Sequence, residues 1–339
     1  VRPAWHLVLA LNLVLSAGLQ AISTGTRGKT DQAKYESVGR APFAPHCPHT
    51  IFCHRVLVPT LLEQLPIEPT LRWRLHGVAM NTLAGALTAR IAQLVVGATG
   101  GWRVPLLASV AVQGSYAFAR IGFDPYAVEP ALFVVAALMA LCWLGGTSRR
   151  FPLLAAVGVF VKQTVVPLAG AFALAALVAR RRDPRPWVGG ALLAAALYGA
   201  FHAGMSALAG WDVSSNPSSH LLSGAYLAVW WPAVGWRLAV SSLFSAFGFL
   251  WILAPIGFWT GSGPMRDLAL GAIVPLLFTV YVQTPERAVG VWFFVVIPLA
   301  LVALERVPVA LASAVIVLNG LLTARVGTSS AWLPPASVT

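Results

Sequence analysis

The sequence predicts an all-α, polytopic helical membrane protein, with about eleven spans and a single integral-membrane domain over residues 1–339. Three observations carry this. Hydrophobic residues make up 58% of the chain and charged residues 10%, with a mean hydropathy of +0.76, which is more apolar surface than a soluble chain of this length can bury. The apolar runs are long and continuous, without the ten-residue alternation of a β-barrel. Arginines recur in the short loops between these runs, as the positive-inside bias requires. The net charge of +12 therefore reports membrane topology and membrane lipids, not a nucleic-acid partner.

At about 20 residues per crossing, the candidate spans are taken in chain order. The first, 5–22, has no small-x-small cleavage site and is expected to remain a span. Spans 73–97 and 102–121 begin at Trp73 and Trp102, residues suited to an interfacial belt. Span 126–146 follows the polar turn Gly122-Phe123-Asp124-Pro125-Tyr126. Segment 151–180 lies between two basic clusters, Arg149-Arg150 and Arg180-Arg181-Arg182, so it must cross twice or dip in and return. Lys162, Gln163 and Pro167 supply its turn. Spans 187–208, 237–260, 266–284, 287–305 and 307–324 complete the set, the first two beginning at or beside Trp187 and Trp236. The basic loops at Arg103, Arg149-Arg150, Arg180 to Arg185, Arg266 and Arg306 then face the cytoplasm. Loops 23–72, 122–126, 209–236 and 284–287 face the opposite side.

The acidic residues follow that division. Asp31, Glu36, Glu63, Glu68, Asp124, Glu129, Asp212 and Glu286 fall outside or at the outer interface, whereas Asp183, Asp267 and Glu305 sit beside cytoplasmic arginines. This distribution suggests a polar cavity opening outward. Its densest polar segment is the loop from Asp31 to Pro59, with three histidines and two of the three cysteines. The four-residue spacing of Asp31 and Tyr35 puts both on one helix face. A carboxylate there can act as general base on a hydroxyl, and Arg55 can fork onto a phosphate. The same residues also suit an interfacial loop, with the Asp capping a helix and the Arg reaching lipid headgroups.

The order of a first span, D-x-x-x-Y (Asp31, Tyr35), a Pro-containing stretch and His54-Arg55-Val56-Leu57-Val58-Pro59 resembles the GT-C class. These are bacterial integral-membrane glycosyltransferases that use polyprenyl-phosphate sugars. The resemblance is strongest over residues 5–96. It implies a GT-C-like fold whose first extracytoplasmic loop (23–72) is catalytic and carries juxtamembrane helices, in a bacterial inner membrane with the active site facing outward. It assigns Asp31 as the base that deprotonates the acceptor hydroxyl, with inversion at the anomeric carbon and Glu36 as the alternative. Asp124 matches a second acidic residue that some members carry in the next outer loop. Arg287 matches a late phosphate-binding arginine, and a pair with Glu286 or a lipid-headgroup contact accounts for it equally well. Arg55 and Lys162 are expected to hold the donor phosphate with it, while Tyr35, Glu36 and His54 shape the acceptor pocket. The acceptor is a glycan, lipid or protein. A divalent metal, Mg or Mn, is an option the resemblance leaves open. Lys162-Gln163 departs from relatives with a Glu after the basic residue.

Lys162 lies in an apolar run, where an unpaired cation is costly, so a cavity or a partner is expected. Cys47 and Cys53 could form a disulfide, remain free thiols or, with His46, His49 and His54, bind zinc; an oxidising outer face favours the disulfide. Tyr226, Trp230, Trp231 and Trp236 suit an aromatic belt or a sugar platform. No nucleotide-binding glycine motif is present, in keeping with a lipid-linked donor. The competing reading is a transporter or flippase for a lipid-linked or small anionic substrate, whose polar groups would line a midplane path. A non-catalytic GT-C-like assembly partner is the third.

Overall fold

The computed structural model describes residues 4–22, 29–45, 50–97, 101–179, 182–211, 240, 243–261, 263–278 and 285–328. Among these residues the secondary structure is helical throughout, with no strand.

Helix α1 (Trp5–Ile22) buries Val8, Asn12 and Ser16, a stripe at four-residue spacing on one face, while Leu7, Leu13 and Val14 point outward. The polar loop that follows forms helices α2 (Lys29–Arg40), α3 (Thr50–Cys53) and α4 (Leu57–Glu63). Asp31 in the first turn of α2 and Arg40 in its last complement the helix dipole. Glu68 caps α5 (Pro69–Val96) by accepting from the Leu71 backbone N–H at 2.8 Å, and Pro69 stands where no intrahelical donor is needed.

The expected span 102–121 is two helices, α6 (Arg103–Gly114) and α7 (Tyr116–Phe123), bent by 60° at extended Ser115. Gly114 packs so closely on a later helix that a Cβ here would lie 2.5 Å from the Gly320 Cα. Helix α8 (Glu129–Gly145) ends on left-handed Gly146, φ 68°. The 151–180 segment is a hairpin of α9 (Phe151–Val161) and α10 (Val165–Ala179), broken at extended Lys162. After α11 (Arg185–Ala209) come α12 (Leu250–Thr260), α13 (Pro264–Ala269), α14 (Ile273–Phe278), α15 (Pro285–Gly290), α16 (Phe293–Leu304) and α17 (Val309–Thr328).

Among the described residues, four helices are long and apolar enough to cross a membrane: α1, α5, α11 and α17. The bent α6–α7 pair makes a fifth if it is one span. Four shorter apolar helices, α8, α10, α12 and α16, pack among them.

Between α1, α5 and α6 the bundle is held by neutral polar groups. Asn12 donates to Ser109 Oγ at 2.8 Å, and Gln113 donates to Asn12 Oδ1 at 3.0 Å and to the Asn81 carbonyl at 2.9 Å. Gly85 makes room, since a Cβ on it would lie 1.9 Å from Asn12 Oδ1. Small residues and amides of this kind hold helices together where burying apolar area gives no advantage over lipid. The α2–α4–α5 layer is tied by charge instead: Glu63 pairs with Arg72 at 3.0 Å and Arg40 at 3.4 Å, and Arg40 reaches Glu36 at 3.3 Å.

Candidate functional site

Three breaks in the helical pattern and one short helix meet at one end of the bundle. The turn between α7 and α8 brings Asp124 and Glu129 there, five residues apart, each at a helix terminus. The interruption between α9 and α10 delivers Lys162, α15 delivers Arg287, and the turn between α3 and α4 delivers Arg55.

At the centre is the Glu129 carboxylate, 5% exposed. Its Oε1 accepts from Lys162 Nζ at 2.7 Å and from Arg287 Nη2. Arg55 donates to the Tyr35 hydroxyl at 2.7 Å and to Gln163 Oε1 at 3.3 Å. Arg120, one turn before Asp124, pairs with it at 2.8 Å. Arg55 and Arg120 both act electrostatically on Glu129, and Asp31 and Arg287 both act on Asp124, so these groups form one cluster.

Burial raises the Asp124 carboxyl above its ordinary range, while Arg120 and Arg287 pull it back. Burial pushes the Tyr35 phenol up to about 12 against the opposing Arg55 charge, so its proton stays on and is available to donate. Phe52 packs edge-on against Tyr35 at 4.9 Å and carries the Arg55 guanidinium over its face, fixing the arginine from two sides.

Helix α8 has 17 residues, so Glu129 lies about 25 Å along the axis from Gly145 and the Arg149-Arg150 turn. That is short of the ~30 Å of a bilayer core. The cluster is buried within the bundle rather than spread over its surface.

The structure thus gathers Asp31, Tyr35, Arg55, Asp124, Lys162 and Arg287 from five separate segments. Asp31 stands at the rim, paired with Lys34 at 3.3 Å and about a third exposed. Two expected site residues lie elsewhere. Glu36 is engaged by Gln32 at 2.7 Å and by the Arg40 ladder. His54 stacks on His202 with ring centroids 3.6 Å apart, among Tyr198, Phe201 and Trp211. Burial, then the His202 and Arg55 charges, push it down to about 3, so it is neutral packing material. Cys53 is disulfide-bonded and Cys142 is free and buried. Cys47, His46, His49 and the aromatic loop with Tyr226, Trp230, Trp231 and Trp236 lie outside the described residues. Among the described residues no group of three or more His, Cys, Asp or Glu side chains could hold a metal ion.

Glu129 is the principal residue that sequence reasoning passed over, along with Arg120 and Gln163. Its signal was present: an acid followed by proline opens a helix that is otherwise apolar, and Lys162 needed a buried partner.

No protein-family model matches the chain, and no curated protein matches it. The residues themselves define an all-helical protein with several membrane-length helices and a recessed, cation-rich cluster at one end.

Proposed function

We propose that the chain is a GT-C-like membrane glycosyltransferase that moves a sugar from a polyprenyl phosphate to an acceptor hydroxyl at the outer face of a bacterial inner membrane. The observation that carries this is a charge imbalance. Among the described residues Arg55, Arg120, Lys162 and Arg287 gather around the carboxylates of Asp124 and Glu129, and Glu286 is a third buried carboxylate, next to Arg287 in the chain, so four cations meet three acids. Asp31, at the rim, has its own Lys34. Surplus positive charge in a recessed site is expensive unless an anion completes it.

The size of the surplus suits the chemistry. A polyprenyl-phosphate sugar is a phosphodiester with one negative charge, and its leaving group is a phosphate monoester with about −1.5 to −2 at neutral pH. A site with surplus positive charge complements the charge that develops as the bond breaks better than it does the bound donor, and such differential binding accelerates reactions. Asp31 takes the proton from the acceptor hydroxyl, and the hydroxyl oxygen attacks the anomeric carbon from the face opposite the phosphate. The carbon–oxygen bond to phosphate breaks, with its electron pair leaving on the phosphate oxygen, and the anomeric centre inverts. Arg55, Lys162 and Arg287 hold that phosphate, Asp124 assists at the acceptor side, and the protonated Tyr35 positions a hydroxyl. The reading includes the eleven-crossing architecture, with the shorter apolar helices as partial or tilted spans.

The test is transfer from a polyprenyl-phosphate sugar by the protein in vesicles. Asp31→Asn is expected to lower turnover by about 10²–10⁴ while leaving donor binding intact, and unchanged turnover removes Asp31 from the mechanism.

One observation favours the transporter reading. Ser16 Oγ, Asn81 Oδ1 and Gln113 Oε1 are buried without hydrogen-bond partners among the described residues. They belong to the interior seam of α1, α5 and α6, where a transported solute could be met. Vesicle uptake of a labelled anion without transfer would support it.

A further inference from the structure

Glu129 has one oxygen too many for the partners around it. Oε1 takes both cations, while Oε2 is buried with no hydrogen-bond partner among the described residues. A buried acceptor left unmet costs about 1–3 kcal/mol, more when charged, and such an atom in an otherwise well-bonded site calls for a missing donor. The cations already lie on the other oxygen, so the expected donor is a neutral hydroxyl.

The position of that hydroxyl follows from Lys162 and Arg287, on the reading of the site as a sugar transferase. Lysine has three donors and arginine five, enough to hold a phosphate while keeping Glu129. The phosphate is then adjacent to the Glu129 carboxylate. In an aldosyl phosphate the phosphate hangs on C1, and the nearest ring hydroxyl is on C2. We propose that Glu129 is a specificity-determining residue whose Oε2 accepts a hydrogen bond from the C2 hydroxyl of the transferred aldose, so that the enzyme selects 2-hydroxy over 2-deoxy sugars. A hydrogen bond to that hydroxyl also strengthens as positive charge builds on the sugar ring during C1–O cleavage, which places Glu129 among the groups that favour the transition state.

Equilibrium binding to the full-length protein in lipid nanodiscs tests this. The probes are undecaprenyl phosphate alone, its mannosyl, glucosyl and arabinosyl esters, and the 2-deoxy counterpart of each ester. The wild type is expected to bind at least one parent ester about ten- to a hundredfold more tightly than its 2-deoxy form, the range of a hydrogen bond to a charged group. In Glu129→Gln the amide oxygen stays with the two cations and the amide N–H₂ turns toward the sugar, so the charge-assisted bond from the C2 hydroxyl is lost and only a weaker neutral bond, with that hydroxyl as acceptor, can replace it. That variant should lower the ratio about tenfold and retain affinity for undecaprenyl phosphate alone, since a nearby negative charge has gone. Where Glu129→Gln does not fold, Glu129→Asp serves, its carboxylate drawn back by one methylene and its ratio likewise lowered. An unchanged ratio in the variant overturns the assignment of Glu129. Tight binding of undecaprenyl phosphate by a wild type that does not distinguish the 2-deoxy esters overturns the inference and leaves the transferase reading standing. A wild type that binds none of the probes overturns both.

Discussion

Both ends of the helical bundle are rich in cations, yet they treat them in opposite ways. At one end Arg149, Arg150, Arg185 and Arg306 are exposed, and Arg266 lies over the rings of Phe258 and Trp259. At the other end Arg55 and Lys162 are 8% and 9% exposed and crowd with Arg287 around one glutamate. Exposed arginines keep their hydration and cost little, so topology alone accounts for the first group. Buried cations have given up that hydration, and Glu129, Asp124 and the buried Glu286 compensate part of it. Similar residues are therefore exposed at one end and buried around paired carboxylates at the other, where we propose that an anion binds.

The largest contrast should come from deleting charge at each end. Lys162→Met is expected to weaken donor binding about ten- to a hundredfold, measured by titration with a polyprenyl-phosphate sugar. Replacing both Arg149 and Arg150 by alanine should leave that affinity within about twofold. Equal losses would erase the distinction between the two ends. A step smaller, Arg287→Ala should raise the donor KM more than it changes acceptor use, because Arg287 is paired with Glu129 and, of the two substrates, meets only the donor phosphate; the opposite split in steady-state kinetics moves it to the acceptor side.

Stability sharpens the comparison further. Lys162→Met is expected to cost about 1–3 kcal/mol by stranding part of the Glu129 charge, and adding Glu129→Gln should recover most of it in thermal unfolding while donor binding stays lost. A failure to recover would show that Lys162 is held by packing rather than by its ion pair.

The smallest effect concerns His54, which sits beside Arg55 but outside the cluster. Its folded-state value is pushed down to about 3 from 6.5. The unfolded chain therefore binds the proton first, and stability falls as pH drops below about 6.5 towards 3. His54→Phe, which keeps the ring stack on His202, should flatten that slope in unfolding measured across this range. An unaltered slope would assign the acid sensitivity to other groups.

Much of the helical framework was legible from hydropathy. The first helix matches its expected bounds, 5–22, and the 151–180 segment is the hairpin its two basic flanks required, turning at Lys162. The break at Ser115 was not read from the run Trp102 to Ile121, although Gln113-Gly114-Ser115 interrupts it, because the close approach of Gly114 to Gly320 at that point is a contact from the far end of the chain. At the candidate site, the cations and Asp31, Tyr35 and Asp124 could be picked out by residue type and position. Glu129 could not be placed, because a lone acid at an interface reads as charge balance until Lys162 and Arg287 are seen on the same oxygen. His54 shows the converse: beside a basic residue in a polar loop it suggests chemistry, and its ring stack with His202 and Trp211 makes it core.

The central claim is that the buried cations at the Glu129 end await a lipid-linked phosphate. A cryo-EM map of the protein with a polyprenyl-phosphate sugar tests it most directly. The account predicts phosphate density among Arg55, Lys162 and Arg287, with the anomeric carbon facing Asp31. Density for the substrate at the Asn12–Gln113 seam, or only on the lipid-facing surface, would contradict it.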